Sequence, residues 1–308
     1  MELRHLRYFI AVAEEGHFTR AAERLHMQQP PLSQQIRALE AELGFPLFLR
    51  HAKGAALTAG GEAFLVEARA VLAGVDAGVV RAGLAARGAQ GLLRLGFTSS
   101  AAAHDLLPRI VRAYRAAWPA VMLEFREENA SELTRALESG DLHAGFLRQP
   151  VRHPYGIRYD VLAEEELLLV VPTGFPGLPP CKPAKLPTLS LEALREQSFV
   201  LLRHSGSLGM YASLVAACGR AGFTPHVAVE VERMLTVISL VAAGAGVSAV
   251  PASMTGFHAR NVVYCRIAER DRSLTAPLTL AYREHDDAPT LRNFLAEAAH
   301  IAGGPGQA

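Results

Sequence analysis

Gln28, Gln29, Ser33, Gln34 and Arg37 lie close together in the chain, and each carries a group of base-reading length. Glutamine pairs bidentately with adenine, arginine with guanine, and serine with a base edge or a phosphate. A helix N-terminus beside them would favour a phosphate oxygen. On one helix, these groups could read a major groove. The same residues would equally serve to solvate an exposed helix. Charge does not decide between the two, because residues 1 to 60 hold seven bases and six acids. Such a module alone would bind DNA weakly and salt-sensitively. A second group of candidates is spread further along: Thr98, Ser99 and Ser100; Glu128, Asn129, Ala130 and Ser131; Phe146 and Arg148; Arg203, Ser205, Tyr211 and Arg233. Hydroxyls, arginines and aromatic rings at strand ends suit a small organic carboxylate. Each hydroxyl could also cap a helix, and Arg148 and Arg233 could form a salt bridge between lobes or subunits.

The elements that must hold the first group follow from apolar spacing. Leu3, Leu6, Phe9, Ile10 and Ala13 recur at helical intervals, and Phe18, Ala21, Ala22 and Leu25 do so again after Glu15-Gly16-His17. A third helix opens at Pro30-Pro31, closes at Gly44 and buries Leu32, Ile36, Leu39 and Leu43. Phe45, Leu47 and Phe48 then turn the chain back, and Arg50 to Thr58 reads as a hairpin with a basic tip, carrying Arg50 and Lys53.

The runs Leu6-Arg7-Tyr8-Phe9, Phe18-Thr19-Arg20-Ala21-Ala22-Glu23-Arg24-Leu25, Gln29-Pro30-Pro31-Leu32-Ser33-Gln34-Gln35-Ile36, Leu47-Phe48 and Leu57-Thr58-Ala59-Gly60-Gly61 resemble, in order and spacing, the winged helix-turn-helix of LysR-type transcriptional regulators. The resemblance implies a homodimer or homotetramer on double-stranded promoter DNA with an inverted-repeat site. It places Gln29, Pro30, Ser33, Gln34 and Arg37 against DNA, Lys53 in the wing, and Phe18, Thr19 and Arg20 at the start of the second helix in the same interface. This chain has Gln34 where many members carry arginine.

From Thr58, an N-cap, through Glu62 to Arg87 the chain is alanine-rich and free of proline, which predicts one long helix. Leu65, Ala68, Leu72, Val75, Val79, Ala82 and Ala86 form an apolar heptad seam that the winged module is too small to cover. In the resembling family this helix is the dimerisation arm. Beyond Gly91 strands and helices alternate: strands at 93–97, 121–125 and 144–147 with helices at 106–118 and 131–139, then strands at 166–171, 199–202, 226–231 and 247–250 with helices at 208–221 and 234–243, and a closing strand and helix at 278–282 and 288–301. The expected fold class is α/β: an N-terminal winged helix-turn-helix (1–60), a linker helix (61–90) and an effector-binding domain (91–308). The last resembles the family's two-lobed, periplasmic-binding-protein-like domain, with lobe I at about 91–162 and 266–308 and lobe II at about 163–265. The Phe-Leu-Arg sequence ending at Arg148 points to the aromatic-acid-responsive (muconate- and benzoate-type) subgroup.

The remaining composition narrows the alternatives. With 31 Lys+Arg against 30 Asp+Glu, no global field marks a nucleic-acid or membrane partner, so recognition must be local. Charges at Glu2, Arg4 and Arg7 interrupt the place where a signal peptide needs its apolar segment, and the run Leu235 to Val250 is too short to span a bilayer, so a cytoplasmic chain is expected. Cys181, Cys218 and Cys265 fit neither a disulfide framework nor a zinc site. Gly244-Ala245-Gly246 follows a helix instead of a strand, the reverse of a dinucleotide loop, and no nucleophile elbow, P-loop or metal-binding histidine pair occurs. No cofactor, no metal and no catalysis are expected. The competing possibility is a cytoplasmic small-molecule enzyme or solute-binding protein with a helical N-terminal oligomerisation unit, which would have no affinity for DNA.

Overall fold

A computed structural model describes residues 1–51, 54–179, 185–202, 209–269, 271 and 273–303. The chain divides into two compact units, Met1–Leu84 and Ala85–Ala308.

In the first unit, α1 (Leu3–Glu15) and α2 (Phe18–Arg24) meet at Gly16, and α3 (Gln29–Leu43) follows. Proline suits the first turn of α3 because N–H groups there have no helical partner, and Gly44, left-handed at φ 80°, ends it. One face of each helix meets at Leu6, Phe9, Ala21, Leu32, Ile36 and Leu39, all buried. β1 (Phe48–His51) and β2 (Gly54–Leu57) pair antiparallel as the expected hairpin. Phe48 packs its ring on Phe9 and Phe18, with centroids 5.4 and 5.6 Å away, and so fastens the hairpin to the helices. The Thr58 hydroxyl accepts the Gly61 N–H and caps α4 (Ala59–Ala86), the expected long helix.

One expectation about α4 needs correcting. Phe64, Leu65, Ala68 and Leu72 pack on the winged core, so the module does cover the first part of the seam. Beyond it Val75 is half-buried, whereas Val79 and Val80 are 68% and 62% exposed.

In the second unit, lobe I is a five-stranded sheet in the order β4-β3-β5-β13-β6, built from β3 (Gly91–Phe97), β4 (Val121–Glu127), β5 (Ala144–Leu147), β6 (Ile157–Ala163) and β13 (Leu278–Arg283). β3 runs parallel to β4 and β5, and β13 is antiparallel to both of its neighbours. Around the sheet lie α5 (Ser99–Ala102), α6 (Leu106–Ala117), α7 (Ala130–Ser139) and α10 (Pro289–Ala302). Phe294 of α10 stacks edgewise on Tyr114 and Phe146, and the Tyr114 hydroxyl donates to the Thr290 carbonyl at 3.0 Å.

Lobe II holds the sheet β11-β7-β12-β8, formed by β7 (Leu167–Pro172), β8 (Thr188–Leu189), β11 (Ser248–Pro251) and β12 (Val262–Ile267). β9 (Ser198–Leu202) and β10 (His226–Val231) form a parallel pair bridged to this region through Phe199 and Val247, and α8 (Met210–Arg220) and α9 (Met234–Ala242) cover the strands.

Among the described residues α5, β6, β8 and β12 go beyond the expectation, as do two short 3-10 turns at Leu191–Leu194 and Ala252–Met254. β12 also moves a boundary. It pairs with β7 and β8 through Ile267, so the chain stays in lobe II past 265 and returns at Leu274 to Ala276. There the two crossing segments lie side by side, with Leu167 N–H donating to Leu274 O and Ala276 N–H to Glu165 O at 2.9 Å.

Candidate functional site

α3 divides cleanly into two faces. Leu32, Ile36 and Leu39 are fully buried, while Gln28, Pro30, Gln34 and Arg37 are exposed and Gln29 is half-exposed. Among the described residues neither Gln34 nor Arg37 has a hydrogen-bond partner, which leaves both free for an external ligand. Thr19 and Arg20 are exposed at the start of α2, where Arg20 donates to the Glu15 carbonyl. Phe18, expected in the same interface, has its ring in the core at 9% exposure. Ser33 is buried as well, and its hydroxyl accepts from Arg50 Nη1 at 2.8 Å, so two residues expected to face DNA are bonded to each other. Lys53 lies outside the described residues.

The second candidate group converges on a cleft between the lobes of the second unit, a cavity of about 830 Å³ including its mouth. Thr98, Ser99, Ser100, Asn129, Ala130, Arg148, Tyr211 and Arg233 line it, as the strand-end argument requires. Ser131 does not line it, and Phe146 lies beneath in the core at 1% exposure. Arg203 and Ser205 fall outside the described residues. Two hydroxyl or amide groups are already engaged in capping. Thr98 accepts from the Ala101 N–H, and Asn129 accepts from the Glu132 N–H at 2.9 Å while its own N–H donates to the Glu132 carboxylate. The opposite wall is apolar, made of Leu167, Leu201, Leu202, Met210, Leu214 and Met234. That wall was invisible in a search for polar groups; its trace in the sequence is the continuous apolar character of β7 and β9.

The two arginines are built differently. Arg233, at the N-cap of α9 in lobe II, donates from Nη1 to the Glu127 carboxylate of lobe I at 2.7 Å, with both side chains over 40% exposed. It therefore spans the cleft at a solvated position. Arg148, at the end of β5, is 3% exposed and paired with Glu165 of the crossing segment. Its guanidinium also donates to the Ser100 carbonyl at 2.6 Å, the Ala276 carbonyl at 3.2 Å and the Ser253 hydroxyl at 2.8 Å. Glu165 in turn accepts the Ser253 N–H at 2.7 Å and its hydroxyl at 2.9 Å. Burial lowers the Arg148 pKa and Glu165 opposes that, as expected for a charge removed from water and then paired. One arginine thus ties β5, both crossing segments and the turn at Ala252–Met254 together where the lobes join. His104 nearby is pulled down by burial, and its Nδ1 accepts the Leu106 N–H. Among the described residues no group of histidine, cysteine, aspartate or glutamate is arranged to hold a metal, and no helix is long and apolar enough to cross a membrane.

Known proteins share both parts of this arrangement. Residues 3–62 match the family model described as a bacterial regulatory helix-turn-helix protein of the lysR family, and residues 86–302 match the LysR substrate binding domain. The chain is 37% identical over 295 residues to the HTH-type transcriptional regulator AlsR of Bacillus subtilis, covering 96% of this chain and 94% of that one. It is 36% identical to the HTH-type transcriptional regulator TfdS of Cupriavidus pinatubonensis, covering 96% and 97%. Among solved structures it is similar to full-length CbnR complexed with its target DNA, with a TM-score of 0.80 at 33% identity over 98% of this chain and all of that one. Full-length BenM matches at a TM-score of 0.54 and 31% identity, over 98% and 96%.

Proposed function

Because this chain belongs to the LysR family of DNA-binding transcriptional regulators, a family of regulators and not of enzymes, we propose that it reads promoter DNA through α3 and reports a small organic acid held in its interlobe cleft. The observation that carries this is the exposed pair Gln34 and Arg37, whose side chains have no partner among the described residues, on a helix whose other face is fully buried. Gln28, Gln29 and Pro30 extend that face toward the helix N-terminus, Thr19 and Arg20 flank it, and Lys53 follows β1 in the sequence. A base edge presented to this row meets one amide and one guanidinium fork, each able to pair bidentately.

The chain is a homodimer that assembles into a homotetramer, and the exposed Val79 and Val80 side of α4 is the surface that supports pairing. Pairing two winged modules raises the effective concentration of the second on an inverted-repeat site, which compensates for one weak, nearly neutral module. The effector is an aromatic or dicarboxylic acid lying between the apolar wall and the loops at Thr98–Ser100 and Asn129–Ala130, with Arg233 as the most accessible cation among the described lining residues. A ligand bonding both lobes shifts the population of lobe arrangements by its differential affinity for them. The protein acts in the cytoplasm, where its promoter is.

Fluorescence anisotropy of the full-length protein on its own upstream intergenic DNA, against scrambled DNA and with a panel of aromatic and aliphatic carboxylates, tests this. Preference for the intergenic sequence and a carboxylate-dependent change in the complex are expected. Equal binding of both DNAs at every salt concentration would sink the reading that this chain recognises its own upstream promoter through α3.

A further inference from the structure

Arg50 sits on β1 of the hairpin, where a basic residue is expected to meet a phosphate. Its surroundings give it different work. The guanidinium carbon lies 4.5 Å from the centre of the Phe18 ring, Nη1 donates to the Ser33 hydroxyl at 2.8 Å, and Nη2 is 3.8 Å from the Glu40 carboxylate. Phe18 belongs to α2, and Ser33 and Glu40 to α3, so one side chain of the hairpin is fixed to both helices of the DNA-reading motif. Glu40 completes the link by accepting the Leu47 and Phe48 N–H groups at 2.8 and 3.1 Å, just where β1 begins. The other strand is fixed by its backbone and by apolar packing: Ala55 N–H donates to the Gly16 carbonyl at 2.8 Å, a Cβ on Gly54 would stand 2.4 Å from that same oxygen, and Ala55 and Leu57 pack into the core.

We propose that Arg50 is a positioning residue that holds the wing at a fixed offset from α3, so that wing and helix enter adjacent grooves together, and that it makes no DNA contact of its own. The inference rests on the reading that α3 and the hairpin both meet DNA. Arginine is required for this because its planar fork reaches Ser33 and Glu40 at once while its face lies on Phe18; lysine offers a point charge with no plane to stack. Glu40, whose side chain is 16% exposed, offsets its positive charge from 3.8 Å, and the Arg50 side chain, at 34% exposure, is turned to Phe18 and Ser33.

The test is groove-resolved footprinting of the full-length protein on its own intergenic DNA. Dimethyl sulfate reports guanine N7 in the major groove under α3, and hydroxyl radicals report the minor groove under the wing. Arg50→Ala and Arg50→Lys should both lose the minor-groove protection, keep the major-groove protection at saturating protein, and bind the operator about tenfold more weakly. Phe18→Leu, which keeps the core apolar but removes the ring under the guanidinium, should weaken the wing protection in the same direction, and a thermal melt of each variant confirms folding. An Arg50→Lys variant that matches the wild type in both grooves would show that Arg50 acts by charge alone and overturn the proposal. So would variants that lose both protections in step while still folded. If the wild-type protein protects neither groove, the reading beneath the proposal falls, and the proposal with it.

Discussion

Arg37 of the first unit and Arg148 of the second are placed in opposite ways. In the first, Arg37 is exposed and, among the described residues, without an ion pair, standing on a helix that the core fixes from behind. In the second, Arg148 is 3% exposed and saturated by carbonyls, a hydroxyl and a carboxylate. A free cation on a rigid face is made for an external partner of fixed shape, whereas a buried cation shared by several segments fixes those segments to one another. Arg37 is therefore placed for recognition and Arg148 for internal geometry.

The largest effect that would sharpen this contrast is Arg148→Ala. It strands the Glu165 carboxylate at a largely buried site, which should cost the second unit about 3–5 kcal/mol. Urea unfolding of the full chain, followed by tryptophan fluorescence from Trp118, reads that transition. A loss under about 1 kcal/mol would mean that Arg148 is no more structural than a surface arginine. The mirror-image change is Arg37→Ala, expected to reduce operator binding by about 1–3 kcal/mol with no shift in either unfolding transition, by anisotropy and urea titration together. Unchanged operator affinity would break the comparison from the other side.

How much of this could be read from the sequence differs between the units for the same physical reason. The three helices, the hairpin and α4 of the first unit follow from short-range periodicity and from Pro30, Gly16 and Gly44, all local signals. The loops at 98–100 and 129–130 were legible because strand C-termini in α/β sheets face a cleft, whereas Ser131 falls outside it. A salt bridge at Arg148 was legible as an alternative to ligand contact, but its partners were not, since Ser253 and Ala276 lie more than a hundred positions away and only the crossing of the chain brings them together. The Arg50–Ser33 bond escaped for a related reason: two residues that each look suited to DNA become partners once the hairpin folds back. β6, with Arg158 and Asp160 on an edge strand, carries too weak an apolar alternation to announce itself.

Titration separates the units further, with a smaller effect. Burial holds the imidazoles of His104 and His143 in the second unit below the ordinary histidine pKa of 6.5. The native state therefore binds fewer protons than the unfolded chain in acid, so this contribution to stability is fully present above pH 6.5 and declines as pH falls through 6.5 toward the depressed folded values. Melting curves between pH 7.5 and pH 5, a window chosen to bracket about 6.5, should show the second unit weakening on acidification, and His104→Gln should flatten the slope. A slope unchanged by that substitution would exclude His104 as its source. The smallest effect is expected from Arg233→Ala. Its partner is exposed, so stability should move by less than about 1 kcal/mol, yet the anisotropy response to carboxylates should be lost. A retained response would take Arg233 out of the effector site.

The position of β13 bears on how the protein is made. It lies between β5 and β6, bonded to both, and α10, which follows it, supplies Phe294 to the centre of the same lobe. A chain emerging from the ribosome can complete its N-terminal unit early, because every strand and helix of that unit is local. Lobe I, begun by β3, must wait as an open sheet with unpaired β5 and β6 edges until residues 278–302 have been synthesised. Truncation near the C-terminus would therefore leave a DNA-binding module attached to an incomplete and aggregation-prone sensor.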